Sequence, residues 1–148
     1  MSAFFVLPAF ASAVKSLEKR WLLNRQTGIE SIRALSWKEF EDLLGEAFRR
    51  QGYSVRENTG AGPDGGIDLT IERKGNTYLV QCKQWRAQKV GVKIVREMLG
   101  LVTAHGAQGA IIVTSGMFTQ EARAFASDKA IDLVEGHQLV KMIGAAKR

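Results

Sequence analysis

At 148 residues the chain is long enough for one domain with a core and hardly for two. Its 45% hydrophobic and 24% charged residues are ordinary for a globular protein, and its one cysteine, Cys82, excludes an internal disulfide. A net charge of +6 favours a polyanionic partner, while two histidines and one cysteine cannot furnish a zinc site of the usual kind.

In chain order, Ala3 to Val14 is mostly apolar, but it is short and holds Pro8, whereas a membrane span needs about 20 apolar residues. Lys15, Lys19, Arg20 and Arg25 follow. Residues 1–34 thus read as an apolar and basic leader. It is expected to pack on the domain as an amphipathic helix or to make contact with a membrane surface. Ala11-Ser12-Ala13 looks like a signal-peptidase site, yet no lysine or arginine precedes the apolar run. The expected location is cytoplasmic, with attachment to the inner face of the membrane as the alternative.

Residues 35–148 read as the main domain. Ser36-x-x-Glu39 is a capping box that opens a helix. Trp37, Phe40, Leu43, Leu44, Ala47 and Phe48 recur at helical spacing and predict a buried face, and Gly52 ends the helix. At about 100° per residue, Glu41 falls on the border of that face and Glu46 on the opposite, solvated side. Tyr53 to Arg56 reads as a short strand, and Asn58 to Gly66, with four glycines and a proline, as a loop. Ile67, Leu69 and Ile71 alternate with polar residues, a half-buried strand. Lys74-Gly75-Asn76 signals a turn, and Thr77 to Trp85 a second strand.

Val90 to Ala104 has helical spacing, and Ala110 to Thr114 is an apolar run typical of a buried strand. Thr119 caps a helix ending near Asp128, Ile131 to Val134 is a last strand, and Gln138 to Ala146 a last helix. This order predicts an α/β fold, a mixed β-sheet flanked by helices on both faces. Its later strands pair in parallel through right-handed crossovers.

Asp68, Gln81 and Lys83 carry the chemistry. Gln81 and Lys83 share one face of their strand. If Lys74 and Gly75 form the turn, Asp68 lies opposite Gln81; if Gly75 and Asn76 do, it lies opposite Lys83. Either two-residue register puts all three on one face. Asp68 offers a charged oxygen suited to Mg²⁺ or Mn²⁺, Gln81 a neutral one, and the Cys82 backbone carbonyl a further one. Lys83 can orient an attacking water and stabilise charge on a phosphate. Glu41, on the helix border, is the better placed of the two helix acids to reach such a site. The same residues also fit plainer roles, Asp68 as a turn cap and Gln81 and Lys83 as a wet strand face.

From Lys83 to Arg96 there are five bases (Lys83, Arg86, Lys89, Lys93 and Arg96) and no acid, a set suited to DNA phosphates or to a solvated helix face. Trp85 could stack on a base or anchor the end of its strand. Gly60-Ala61-Gly62-Pro63-Asp64-Gly65 fits the dinucleotide fingerprint, but it leads into a strand where that motif requires a helix.

Gly62-Pro63-Asp64-Gly65-Gly66-Ile67-Asp68 together with Gln81-Cys82-Lys83 resembles the catalytic domain of Mrr-like (type IV-like) restriction endonucleases, within the PD-(D/E)xK nuclease superfamily. Phe40-Glu41, Gly52-Tyr53, Val95-Arg96-Glu97 and Thr114-Ser115-Gly116 ahead of Phe118-Thr119 extend the resemblance from about Leu35 to the C-terminus. The resemblance implies a restriction-endonuclease-like fold and hydrolysis of DNA phosphodiesters with Mg²⁺ or Mn²⁺. It makes Asp68 the metal-binding acid, Lys83 the catalytic lysine and Glu41 the helix acid. Gln81 stands where most of the superfamily has an acid, and Asp64 matches a recurrent acid of the glycine-rich loop. The alternative is a DNA-binding module of the same fold with little or no catalysis. Cutting both strands takes two sites, which makes a homodimer an expectation.

Overall fold

The computed structural model describes residues 3–58, 66–83 and 89–147, with side chains from Ala11 onward. The described residues form six helices and five strands. The helices are α1 (Ala3–Arg25), α2 (Ile29–Arg33), α3 (Trp37–Arg50), α4 (Val92–His105), α5 (Gln120–Ala126) and α6 (Gly136–Ala146). The strands are β1 (Ser54–Glu57), β2 (Leu69–Arg73), β3 (Asn76–Lys83), β4 (Gly109–Thr114) and β5 (Ile131–Val134).

The strands lie side by side in sequence order. The first three pair antiparallel, and β4 and β5 then add in parallel, as the strand–helix–strand pattern predicts. Lys74 and Gly75 form the β2–β3 turn, since Arg73 pairs with Asn76. Both turn residues have positive φ, 55° and 81°, the conformation that matches the twist of a two-residue hairpin.

Each face of the sheet has its own core. On one side Phe40, Leu43, Leu44 and Phe48 of α3 pack with Leu69, Ile71, Val80, Cys82 and Val113. On the other, Val95 and Met98 of α4 and Ala122 of α5 pack with Leu79, Ala110 and Ile112. Each large side chain buried in this way stabilises the fold by about 1.5–3 kcal/mol. The first core also takes in Leu22 and Leu23 of α1 and Ile32 of α2, so the leader packs on the domain. None of the described helices is long and apolar enough to cross a membrane.

The start of α3 is built as the capping box predicts. Ser36 Oγ accepts from the Glu39 N–H at 3.1 Å, and Glu39 Oε1 accepts from the Ser36 N–H at 2.9 Å. Two expectations for α3 fail. Trp37 is not buried with the rest of its stripe but 54% exposed, because as the first residue of the helix it stands at the open end of the face that the later turns bury. Glu46 is not solvated but only 7% exposed, because α3 packs against α1 and α6 as well as the sheet and has no wholly free side.

Candidate functional site

The register brings one end of every strand to a common rim. Glu57 ends β1 opposite Leu69, which starts β2; Lys83 ends β3 beside Thr114, which ends β4; and Val113 pairs with Val134. Asp68, Gln81 and Lys83 gather there, and α3 brings Glu41 to the same place.

Asp68 departs from simple alternation. Extending the β2–β3 register would set it opposite Gln81. Its N–H instead donates to the Val80 carbonyl at 2.8 Å, although Leu69 is the residue paired with Val80. Two consecutive residues thus face one partner, the arrangement of a β-bulge, which re-aims side chains. Alternation shifts accordingly: Ile67 joins the core under α4, whereas Leu69 joins the core under α3. The Asp68 carboxylate is left at the strand end, where its Oδ2 accepts from the Cys82 N–H at 2.7 Å. In an extended strand the N–H and C=O of one residue point to the same side. The Cys82 carbonyl therefore points toward Asp68 as well.

Gly66 fits this corner for two reasons. Its φ of 105° suits glycine, and a Cβ there would stand 2.4 Å from the Gln81 side-chain nitrogen. Gln81 itself is buried, at 4% exposure.

Glu41 is 6% exposed, and its pKa is pushed up to about 7, first by burial and then by the negative charge of Asp68. Lys38 works the other way. The pKa of Asp68 is also raised by burial, opposed by its bond from the Cys82 N–H and by the charge of Lys83. The negative charge of Asp68 thus weighs on Glu41. Burial and the same two carboxyls push the Cys82 thiol well up, so it stays protonated. Among the described residues no lysine or arginine stands within ion-pair distance of Glu41. A buried Glu41 whose ionisation a half-buried Asp68 opposes, together with an amide and a backbone carbonyl on the same rim, makes a hard oxygen donor set that fits a divalent cation. A third His, Cys, Asp or Glu does not join them among the described residues.

Sequence reasoning missed the groups around Glu41. Glu57 Oε1 accepts from Lys19 of α1 at 2.9 Å, and Glu57 Oε2 from Lys38 at 3.3 Å. Lys19 and then Lys38 hold the Glu57 carboxyl below its usual range. These residues line a cleft of about 490 Å³ between α1 and α3, which neither Asp68 nor Glu41 lines. Polar residues scattered over three elements leave no spacing signal.

Of the basic set, Lys83 is half-buried at the rim, and Lys89, Lys93 and Arg96 are exposed. Lys93 stands 4.0 Å from Glu97, and Arg96 lies over the Phe125 ring at 5.5 Å. Such exposed contacts are weak and leave both cations free to meet a phosphate. Arg86, Trp85 and Asp64 fall outside the described residues.

Four similarities relate this chain to known proteins. The chain is 28% identical over 123 residues to the type IV methyl-directed restriction enzyme EcoKMrr of Escherichia coli K12, covering 78% of this chain but only 40% of that enzyme. The fold matches the DNA modification-dependent restriction endonuclease AspBHI with a TM-score of 0.65 at 20% identity, over 88% of this chain and 36% of that one. It also matches a repair endonuclease from Pyrococcus abyssi with a TM-score of 0.55 at 17% identity, over 68% and 46%. A family model for restriction endonucleases, the Mrr catalytic domain, matches residues 32–143, from α2 into α6 and across the whole sheet. With that match running through well over half of its length, the chain belongs to the restriction endonuclease family of the Mrr catalytic domain.

Proposed function

We propose that this domain hydrolyses DNA phosphodiester bonds with a divalent cation, Mg²⁺ or Mn²⁺, at the rim site. The observation that carries this is the convergence of Glu41 and Asp68, from a helix and a bulged strand, beside Lys83 in a chain of this family. Asp68, Glu41, the Gln81 amide oxygen and the Cys82 carbonyl are the residues to hold the ion. When bound, the ion would lower the pKa of a water and offset charge growing on the phosphate. Lys83 orients the attacking water and stabilises the extra negative charge as the phosphate gains a fifth oxygen. Its positive charge also offsets that of Asp68 before substrate arrives. Lys89, Lys93, Arg96 and, by sequence, Arg86 hold the DNA backbone without reading bases.

The test is incubation of the purified protein with plain, methylated and branched DNA over a range of Mg²⁺ and Mn²⁺ concentrations. Cleavage is expected in at least one series, and unaltered nicking by Asp68→Ala would sink the mechanism. A neutral residue at position 81 favours, as second reading, a DNA-binding module without catalysis. Calorimetric titration with Mn²⁺ separates the two, because a module of that kind takes up no ion with or without DNA.

A further inference from the structure

Six apolar residues of α3 share one stripe, and Trp37 is the member that the fold leaves uncovered. Its position is specific. Trp37 precedes Glu41 by four residues, the separation that sets two side chains on the same helix face one turn apart. Helical side chains lean toward the N-terminus, so the indole stands on the outer turn, beyond the buried carboxyl. The exposed ring therefore overhangs the end of the helix that carries the site.

Folding does not require an aromatic residue there. The reciprocal Ser36 and Glu39 bonds already close the helix start. Leu35 and Phe40, which flank that cap, are both in the core, as in a hydrophobic staple. Two cations lie within four residues of Trp37 in the chain. Lys38 is the next residue, and Arg33 of α2 is held to the rim by a 3.0 Å bond from its Nε to the Ser115 carbonyl. Their acidic partners are Asp42 and Glu57 for Lys38 and Glu30 for Arg33, at 3.2–3.3 Å. Ion pairs this open exchange readily for phosphate. An exposed indole on a basic stretch of chain is what a nucleic-acid strand uses when a base leaves its stack: the ring takes the base and cations hold the neighbouring phosphates.

We propose that Trp37 stacks on an unpaired base of the DNA strand bound at the Glu41–Asp68 site, so that the protein prefers DNA with a base out of the helix to a continuous duplex. The inference rests on the function proposed above and names the substrate class for that site. In a continuous duplex every base is already stacked on its neighbours, and the indole has no face to meet.

The test is fluorescence anisotropy with the full chain, in Ca²⁺ so that no strand is cut, on a paired duplex and on the same duplex carrying one extra unpaired base. The unmodified protein is expected to bind the second DNA more tightly. Trp37→Ala is expected to weaken that binding by about 5- to 150-fold while changing duplex binding by less than about 2-fold. Trp37→Phe, which keeps an aromatic face, is expected to restore most of the difference. Thermal melting of Trp37→Ala should stay within about 3 °C of the unmodified protein, since the residue is exposed. Equal losses on both DNAs, or none, would overturn the stacking role and leave the nuclease proposal standing. Failure of the unmodified protein to bind either DNA would overturn both.

Discussion

The two ends of α3 hold two glutamates five residues apart, about equally buried, and opposite in character. Near the C-terminal end, Glu46 meets Arg50 at 3.2 Å and Arg49 at 3.9 Å, so its charge is answered inside the protein. Near the N-terminal end, Glu41 meets the carboxyl of Asp68 and is driven toward its neutral form. Burial alone therefore says little about which acid serves chemistry. The sign of the neighbouring charge separates them: one glutamate is finished by the fold, and the other, on the proposed mechanism, is completed by a bound cation.

The sharpest way to break this contrast is to remove the groups at the rim. Asp68→Ala is expected to bring Mg²⁺-dependent cleavage to background, and Lys83→Ala to reduce it by about 100- to 1,000-fold, with circular dichroism spectra unchanged. Next comes the pair of matched changes. Glu41→Gln is expected to slow cleavage on the order of 100-fold and, without metal at pH 8, to raise the melting temperature by relieving repulsion. Glu46→Gln is expected to leave the cleavage rate unaltered and to cost roughly 1–2 kcal/mol of stability in urea, because Arg50 loses its charged partner. If Glu46→Gln slowed cleavage as much as Glu41→Gln did, the distinction between the two ends of the helix would be wrong.

The pH dependence has a definite sign. Glu41 keeps its proton up to about pH 7 in the folded chain and only to about 4.5 otherwise. Between those values the folded state holds the extra proton, so stability in metal-free buffer falls as pH rises through that window. Melting is expected on the order of 5 °C higher near pH 5.5 than near pH 8, a difference that Glu41→Gln should largely remove. Mn²⁺ should reverse the trend, because it binds the ionised carboxyls, and chelation should restore it. The smallest effect is a local one: Ser36→Ala, which removes the cap of the same helix, should cost about 1 kcal/mol in urea unfolding.

Much of the architecture was legible because it rests on local chemistry. Ser36 and Glu39 announce a helix start, Lys74-Gly75-Asn76 a tight turn, and Ala110 to Thr114 a covered strand, and each stands where expected, with the turn resolved to Lys74 and Gly75. Lys83 and Gln81 follow from strand alternation. Asp68 reaches the site by another route, because the bond from its N–H to Val80 shifts the pairing by one residue, and a period of two carries no trace of that. Trp37 and Glu46 were misplaced because a helical wheel knows the helix alone, not which partners reach its ends. The Lys19–Glu57 contact spans 38 residues, beyond any local pattern.

The leader's contribution bears on how the protein should be prepared. Homology begins at residue 32, yet Leu22 and Leu23 fill the space against α3, Lys19 grips Glu57, and Lys147 reaches back to the Gln26 carbonyl. A shortened version starting at the homology boundary would lose two buried leucines, each worth about 2–5 kcal/mol, against a typical total stability of about 5–15 kcal/mol. Such a fragment is expected to melt well below the whole chain in a thermal scan, and silence in a cleavage assay would then report lost folding and not lost chemistry.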